Sequence, residues 1–189
     1  MVGLGNPGAE FERTRHNLGA EVVERLATRR TQRLRPEKGT RALVAQARME
    51  QKLVVLAVPQ TYMNESGLAV SALMRRFRVP GTDRLVVVHD ELDLPSGRVK
   101  VKVGGGTAGN NGLKSIHAHL HDPDYLRVRI GIGKPPGREP GADYVLHRPS
   151  RAERSALDVA VEVAADAVEV IALEGVDAAM LRFNGDAGS

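Results

Sequence analysis

The run Arg84-Leu85-Val86-Val87-Val88-His89 constrains the fold most. Its apolar residues do not alternate with polar ones. A strand of that kind must be covered on both faces, as in the middle of an α/β sheet. The surrounding pattern agrees. Val2-Gly3-Leu4 reads as the end of a buried strand entering a Gly-Asn-Pro-Gly turn, and residues 17–30 place Leu18, Val22, Leu26 and Ala27 on one helical face. Thr31 to Thr40 is basic and polar and predicts a loop. Arg41–Met49 and Lys52–Val58 predict paired strands about a turn at Glu50-Gln51, stopped by Pro59. A helix carrying Val70, Leu73, Met74 and Phe77 follows, with Ser66 or Asn64 as its cap and Pro80-Gly81 as its end. In Arg98–Val103 the valines 99, 101 and 103 alternate with Arg98, Lys100 and Lys102, which predicts a half-buried strand with a basic outer face. Asn110–Leu120 predicts a helix and Tyr125–Ile132 a strand. A long helix, Arg151–Leu173, is capped by Ser150 and broken by Gly175 before a short last helix at Val176–Phe183. Strands alternating with helices predict an α/β sandwich with a mixed central sheet, and 189 residues predict a single domain, 1–189. In such sheets ligands sit at the carboxyl ends of strands, where the polar motifs after Leu4, Val58 and Val88 fall.

Composition narrows the chemistry. Hydrophobic residues make up 42% of the chain, so it can build a core. No apolar run approaches the ~20 residues of a membrane helix, and no secretory signal is visible. The chain has no cysteine. Disulfides and thiol nucleophiles are therefore excluded, and a reducing cytoplasm fits. The net charge is only +4, but its distribution is uneven. Basic residues gather at Arg13, Arg15, Arg29, Arg30, Arg33, Arg35 and Lys38, then again from Arg98 to Arg138, while acidic residues dominate the last forty positions. That asymmetry predicts a polyanionic partner on one face. With three Phe, three Tyr and no Trp, phosphate contact is a better reading than base stacking on an aromatic sheet.

Five polar stretches carry the candidate chemistry. Gly3-x-Gly5-x-x-Gly8 has the outline of a dinucleotide fingerprint, but Pro7 lies inside it and the helix starts too late, so no nucleotide cofactor is expected. Its alternatives are a tight turn or a device that presents the Asn6 amide. His16, in Thr14-Arg15-His16-Asn17, is the candidate base, placed just before a helix. A base working near neutral pH needs a carboxylate to set its tautomer. Asp90, at the end of the Val86–Val88 strand, is the best placed, with Glu91 and Asp93 as alternatives that could instead cap the loop. Asn64 and Asn111 can cap helices, or can hold a peptide backbone or an oxyanion, since an amide offers donors and an acceptor without charge. Gly104-Gly105-Gly106 suggests close approach of a ligand or a flexible lid. His117, His119 and His121 alternate, but on a helix only the first and last share a face and no carboxylate joins them, so no metal is expected. The inventory suits water-driven cleavage of an acyl bond without a covalent intermediate.

Taken together, Val2-Gly3-Leu4-Gly5-Asn6-Pro7-Gly8, Thr14-Arg15-His16-Asn17-Leu18-Gly19, Tyr62-Met63-Asn64-Glu65-Ser66-Gly67, His89-Asp90-Glu91-Leu92-Asp93-Leu94-Pro95, Asn111-Gly112-Leu113-Lys114 and Arg127–Gly133 resemble bacterial peptidyl-tRNA hydrolase. The resemblance implies a monomeric three-layer α/β/α fold in the cytoplasm. It implies hydrolysis of the ester joining a peptide to the tRNA 3′ ribose, with peptidyl-tRNA as partner and no cofactor, metal or membrane. By motif, His16 matches the catalytic base and Asp90 its partner. Asn6, Asn64 and Asn111 match substrate-holding amides, and Lys100, Lys102 and Arg129 match residues that meet tRNA phosphates. Two further cleft positions depart from the family's pattern: Asn110 stands where a histidine is usual, and Phe11 where a tyrosine is common. The chain also opens on the first motif itself, where family members usually carry a few more residues. These departures motivate a rival expectation, a non-catalytic or specialised tRNA- or ribosome-associated paralogue on the same fold.

Overall fold

The computed structural model describes residues 1–185. A seven-stranded sheet runs through the molecule. Its strands are β1 (Val2–Gly3), β2 (Arg35–Glu37), β3 (Ala42–Met49), β4 (Lys52–Pro59), β5 (Val86–Glu91), β6 (Val99–Val103) and β7 (Leu126–Gly131). Their spatial order is β2-β3-β4-β1-β5-β7-β6. β4, β1, β5 and β7 are parallel, while the pairs β2–β3, β3–β4 and β6–β7 towards the two edges are antiparallel. The sheet is therefore mixed, as expected. All six residues of β5 are buried, in agreement with its unbroken apolar character.

Helices cover both faces. α1 (Leu18–Arg29), α5 (Arg151–Glu174) and α6 (Val176–Asn184) pack on one, and α2 (Ser66–Arg76) and α3 (Asn111–Leu120) on the other. A short α4 (Gly141–Tyr144) follows β7. No helix among the described residues is long and apolar enough to cross a membrane. Each face has its own apolar cluster. Val88, Val128 and Ile130 join α1 and α5, while Val2, Val87 and Leu113 join α2 and α3.

Four local expectations change. Arg35–Glu37 is not loop but a short edge strand paired with β3, because its backbone groups meet an open ladder that its side chains do not advertise. Neither Asn64 nor Ser66 caps α2 through its side chain. Met63–Glu65 forms a 3₁₀ turn instead, and Ser66 Oγ donates to the Met63 carbonyl at 2.7 Å. Val103 is 44% exposed, so the buried side of β6 ends at Val101. Finally, much of the charge asymmetry is neutralised inside the molecule. Arg13 reaches Asp158, Arg15 reaches Glu153, Arg29 reaches Glu162 and Asp166, and Arg30 reaches Glu169. The N-terminal basic group and the acidic α5 are thus largely partners of one another.

Backbone-to-backbone approach explains the first motif. A Cβ on Gly19 would collide with the Val88 carbonyl and the Leu4 amide, and one on Gly3 with the Gly19 carbonyl. α1 therefore starts directly against β1 and β5. Of the three glycines in Gly3-x-Gly5-x-x-Gly8, only Gly8 has positive φ. The motif brings a helix close to a sheet and does not follow a nucleotide-binding pattern.

Candidate active site

A cleft of about 470 Å³ opens at the carboxyl ends of β1, β4 and β5. Asn6, Phe11, His16, Asn64, Asp90, Asn110 and Asn111 all line it. One wall is the segment 107–111 and the opposite wall is 141–146. Every residue expected for chemistry or for substrate holding thus faces one space, although the seven come from four stretches of chain, 6–16, 64, 90 and 110–111.

His16 lies in a 3₁₀ turn leading into α1, and Asp90 is the penultimate residue of the buried strand β5. His16 Nδ1 is 2.9 Å from Asp90 Oδ1, and both side chains are almost wholly buried. An ionised carboxylate only accepts, so Nδ1 carries the proton and Nε2 keeps its lone pair. Burial by itself would lower the His16 pKa. The Asp90 charge and hydrogen bond oppose this and together raise it above 6.5. The two alternative carboxylates are engaged elsewhere. Glu91 accepts from the Asp93 backbone N–H at 3.1 Å, and Asp93 lies 3.5 Å from Lys134. Loop capping is therefore the role of Glu91, and the orienting contact belongs to Asp90.

The amides differ in how they are committed. Asn6 Oδ1 accepts from the Met63 N–H at 2.7 Å, which leaves its NH₂ as the available donor. Asn110, not Asn111, caps α3: its Oδ1 accepts from the Leu113 N–H at 3.1 Å. Asn111 is exposed in the cleft, and neither its side chain nor that of Asn64 is hydrogen-bonded among the described residues. The helices α2 and α3, which follow Asn64 and begin at Asn111, are drawn together at Gly67: its N–H donates to Ser115 Oγ at 2.9 Å, and a Cβ there would strike the Ser115 carbonyl.

The family-level comparisons agree with this geometry. The sequence model of the peptidyl-tRNA hydrolase family matches residues 1–189. The chain belongs to the peptidyl-tRNA hydrolase family. A peptidyl-tRNA hydrolase from Nocardia farcinica is 53% identical over 184 residues, covering 97% of this chain and 95% of that one. One from Cutibacterium acnes is 46% identical over 194 residues, covering 97% and 96%. The crystal structure of peptidyl-tRNA hydrolase from Acinetobacter baumannii superposes with a TM-score of 0.91 at 36% identity, covering 97% of this chain and 93% of that one. The three-layer α/β/α expectation holds.

In this family member the basic residues of the cleft's flank fall into two groups. Lys100 and Lys102 stand on β6 opposite Arg129 and Arg127 of β7, so all four share one sheet face. Lys100 and Lys102 are half-exposed. Arg129 is less free, with Glu91 3.8 Å away. Arg127 is 2% exposed and is not a surface cation at all. It donates to the Gly106 carbonyl at 2.6 Å and also to that of Gly105, and it reaches His117 Nε2 at 3.1 Å. The glycine run is therefore held from beneath, and His117 serves that loop; no metal-binding group exists among the described residues. His119 and His121 are exposed near the end of α3, where His121 is its left-handed cap.

Sequence reasoning missed Asn17 and Tyr62. Asn17 is buried and grips Asn6 from behind. Tyr62 is 58% exposed and meets Phe11 edge-on at 6.5 Å at the mouth of the cleft. The signal for Asn17 was its place beside His16; nothing in the sequence marks it as Asn6's support.

Proposed function

We propose that the chain cleaves the ester bond between peptide and tRNA with a water activated by His16. Hydrolysis of peptidyl-tRNA is the activity of its family, and this chain is an enzyme of that class. The contact between His16 Nδ1 and Asp90, 2.9 Å in a cleft lined by Asn6, Asn64 and Asn111, is the observation that carries the residue assignment.

With Nδ1–H given to Asp90, Nε2 takes a proton from water. The hydroxide adds to the ester carbonyl, and the carbonyl electron pair moves to oxygen. That oxyanion is met by the Asn6 NH₂, whose orientation is set because Asn6 Oδ1 is already held by Met63. The tetrahedral intermediate then expels the ribose 3′ oxygen, which recovers the proton from the imidazolium. The products are a peptide acid and free tRNA. Asp90 stabilises the imidazolium between the two transfers. Asn64 and Asn111 hold the peptide backbone, and Phe11 and Asn110 shape the two sides of the cleft. Lys100, Lys102 and Arg129 meet tRNA phosphates along the β6–β7 face. The chain is proposed to act as a monomer and as one domain, 1–189, with residues 186–189 outside the described part. The missing cysteines and a tRNA substrate favour the cytoplasm.

His16→Ala tests the assignment. Its turnover should fall by roughly 10²–10⁴, with affinity for deacylated tRNA retained. Near-wild-type turnover would remove His16 from the mechanism.

A further inference from the structure

Next to the proposed base, Arg15 is buried, and its contacts run to the cleft wall and not to any nucleic-acid face. Its guanidinium forms a two-pronged pair with Glu153 of α5, Nε to Oε1 at 2.8 Å and NH2 to Oε2 at 2.6 Å. Its remaining nitrogen donates to the Tyr144 carbonyl at 3.3 Å and the His147 carbonyl at 3.1 Å. The guanidinium also lies 4.0 Å from the centre of the Tyr144 ring. The backbone continues the same join: the His16 N–H donates to the Val145 carbonyl at 2.9 Å, and the Arg15 N–H to the His147 carbonyl at 3.4 Å. One residue further on, Arg148 donates to the carbonyls of Glu12 and Ala9. Val145 and Leu146 line the cleft. One side of the pocket is thus tied to the turn that carries His16, and Arg15 is the centre of the tie.

We infer that Arg15, clamped by Glu153, is a positioning residue for hydrolysis: it holds the 144–147 wall against the backbone of His16 so that base and wall keep one geometry around the peptide. The inference rests on His16 being the base. Two parallel N–H···O bonds need the planar fork of arginine, which lysine does not offer. The NH1 group of that fork donates to both of the wall's carbonyls, so loosening either end lets the wall and His16 shift separately. Such a separation costs rate through misplacement and leaves the proposed tRNA-facing strands β6 and β7 untouched.

The test is Arg15→Lys, Glu153→Gln and the double variant, assayed on peptidyl-tRNA well below each variant's melting temperature, with affinity for deacylated tRNA measured alongside. Each single variant should lose about tenfold in kcat with unchanged tRNA affinity. The double should be no slower than the slower single, because both act through one contact. Wild-type kcat in Glu153→Gln, or additive losses in the double, would overturn the inference even if Arg15→Lys failed to fold. His16→Ala distinguishes the deeper failure: if it retains turnover, the base is wrong whatever Arg15 does.

Discussion

Asn17 grips Asn6 at both ends of its backbone: the Asn6 N–H donates to Asn17 Oδ1 at 2.9 Å, and Asn17 Nδ2 donates to the Asn6 carbonyl at 2.9 Å. With Met63 holding Asn6 Oδ1, three hydrogen bonds leave that side chain one free donor group, aimed by its neighbours. This is the preorganisation that oxyanion stabilisation requires.

Asn17→Asp keeps the acceptor and loses the donor, so it should release the Asn6 carbonyl alone. Turnover is expected to fall roughly 10- to 100-fold, with tRNA affinity unchanged. A variant as fast as wild type in single-turnover assays would mean that Asn6 does not need its support.

The raised His16 pKa sets two opposed pH dependences. Protonated His16 is favoured by the fold, so its contribution to stability is complete below 6.5 and is lost as pH rises through the higher folded value. The rate runs the other way, since the base is lost as pH falls through that same value. Asp90→Asn removes the charge and leaves burial, which lowers the pKa. Its acid limb should therefore move to lower pH than wild type, while its plateau drops by roughly 10²–10⁴. A pH–rate profile of kcat/KM checks both, and an unmoved limb would show that another group titrates.

Lys100→Ala and Lys102→Ala should each weaken tRNA binding and reduce the slope of log affinity against log salt by about one unit. Arg129→Ala should reduce the slope less, because Glu91 already offsets part of its charge. Binding titrations across a salt series separate the three. Loss of hydrolysis on a minimal substrate without the tRNA body would assign the lysines to chemistry.

Asn110 and Asn111 are adjacent yet should behave oppositely. Asn110→Ala removes a helix cap and should cost about 1 kcal/mol in stability, read by denaturant unfolding. Asn111→Ala should leave stability unchanged and raise KM for peptidyl-tRNA, because its amide faces the cleft without a structural partner among the described residues. Equal stability losses in the two variants would contradict this division.

Much of the architecture was legible in the residue pattern. The unbroken apolar β5, the β3–β4 hairpin and the Ser150-capped α5 are local consequences of periodicity and capping, which neighbouring residues fix among themselves. Which residues gather at the cleft was legible too, because His, Asp and Asn stood beside strand ends and helix starts. The edge strand β2 was not, since its pairing depends on a ladder supplied by β3.

The sequence by itself determined which groups the protein owns: an imidazole at a helix start, carboxylates at a strand end, a set of neutral amides and an alternating basic strand. Only the tertiary structure decided what each is free to do. It paired Arg15 with Glu153 and buried Arg127 under the glycine run, withdrawing both from any nucleic-acid surface. It made Asn110 a cap and left Asn111 open. The physical reason is that charge and hydrogen-bonding capacity are properties of a side chain, whereas their availability depends on partners brought from more than a hundred residues away, as Glu153 is to Arg15.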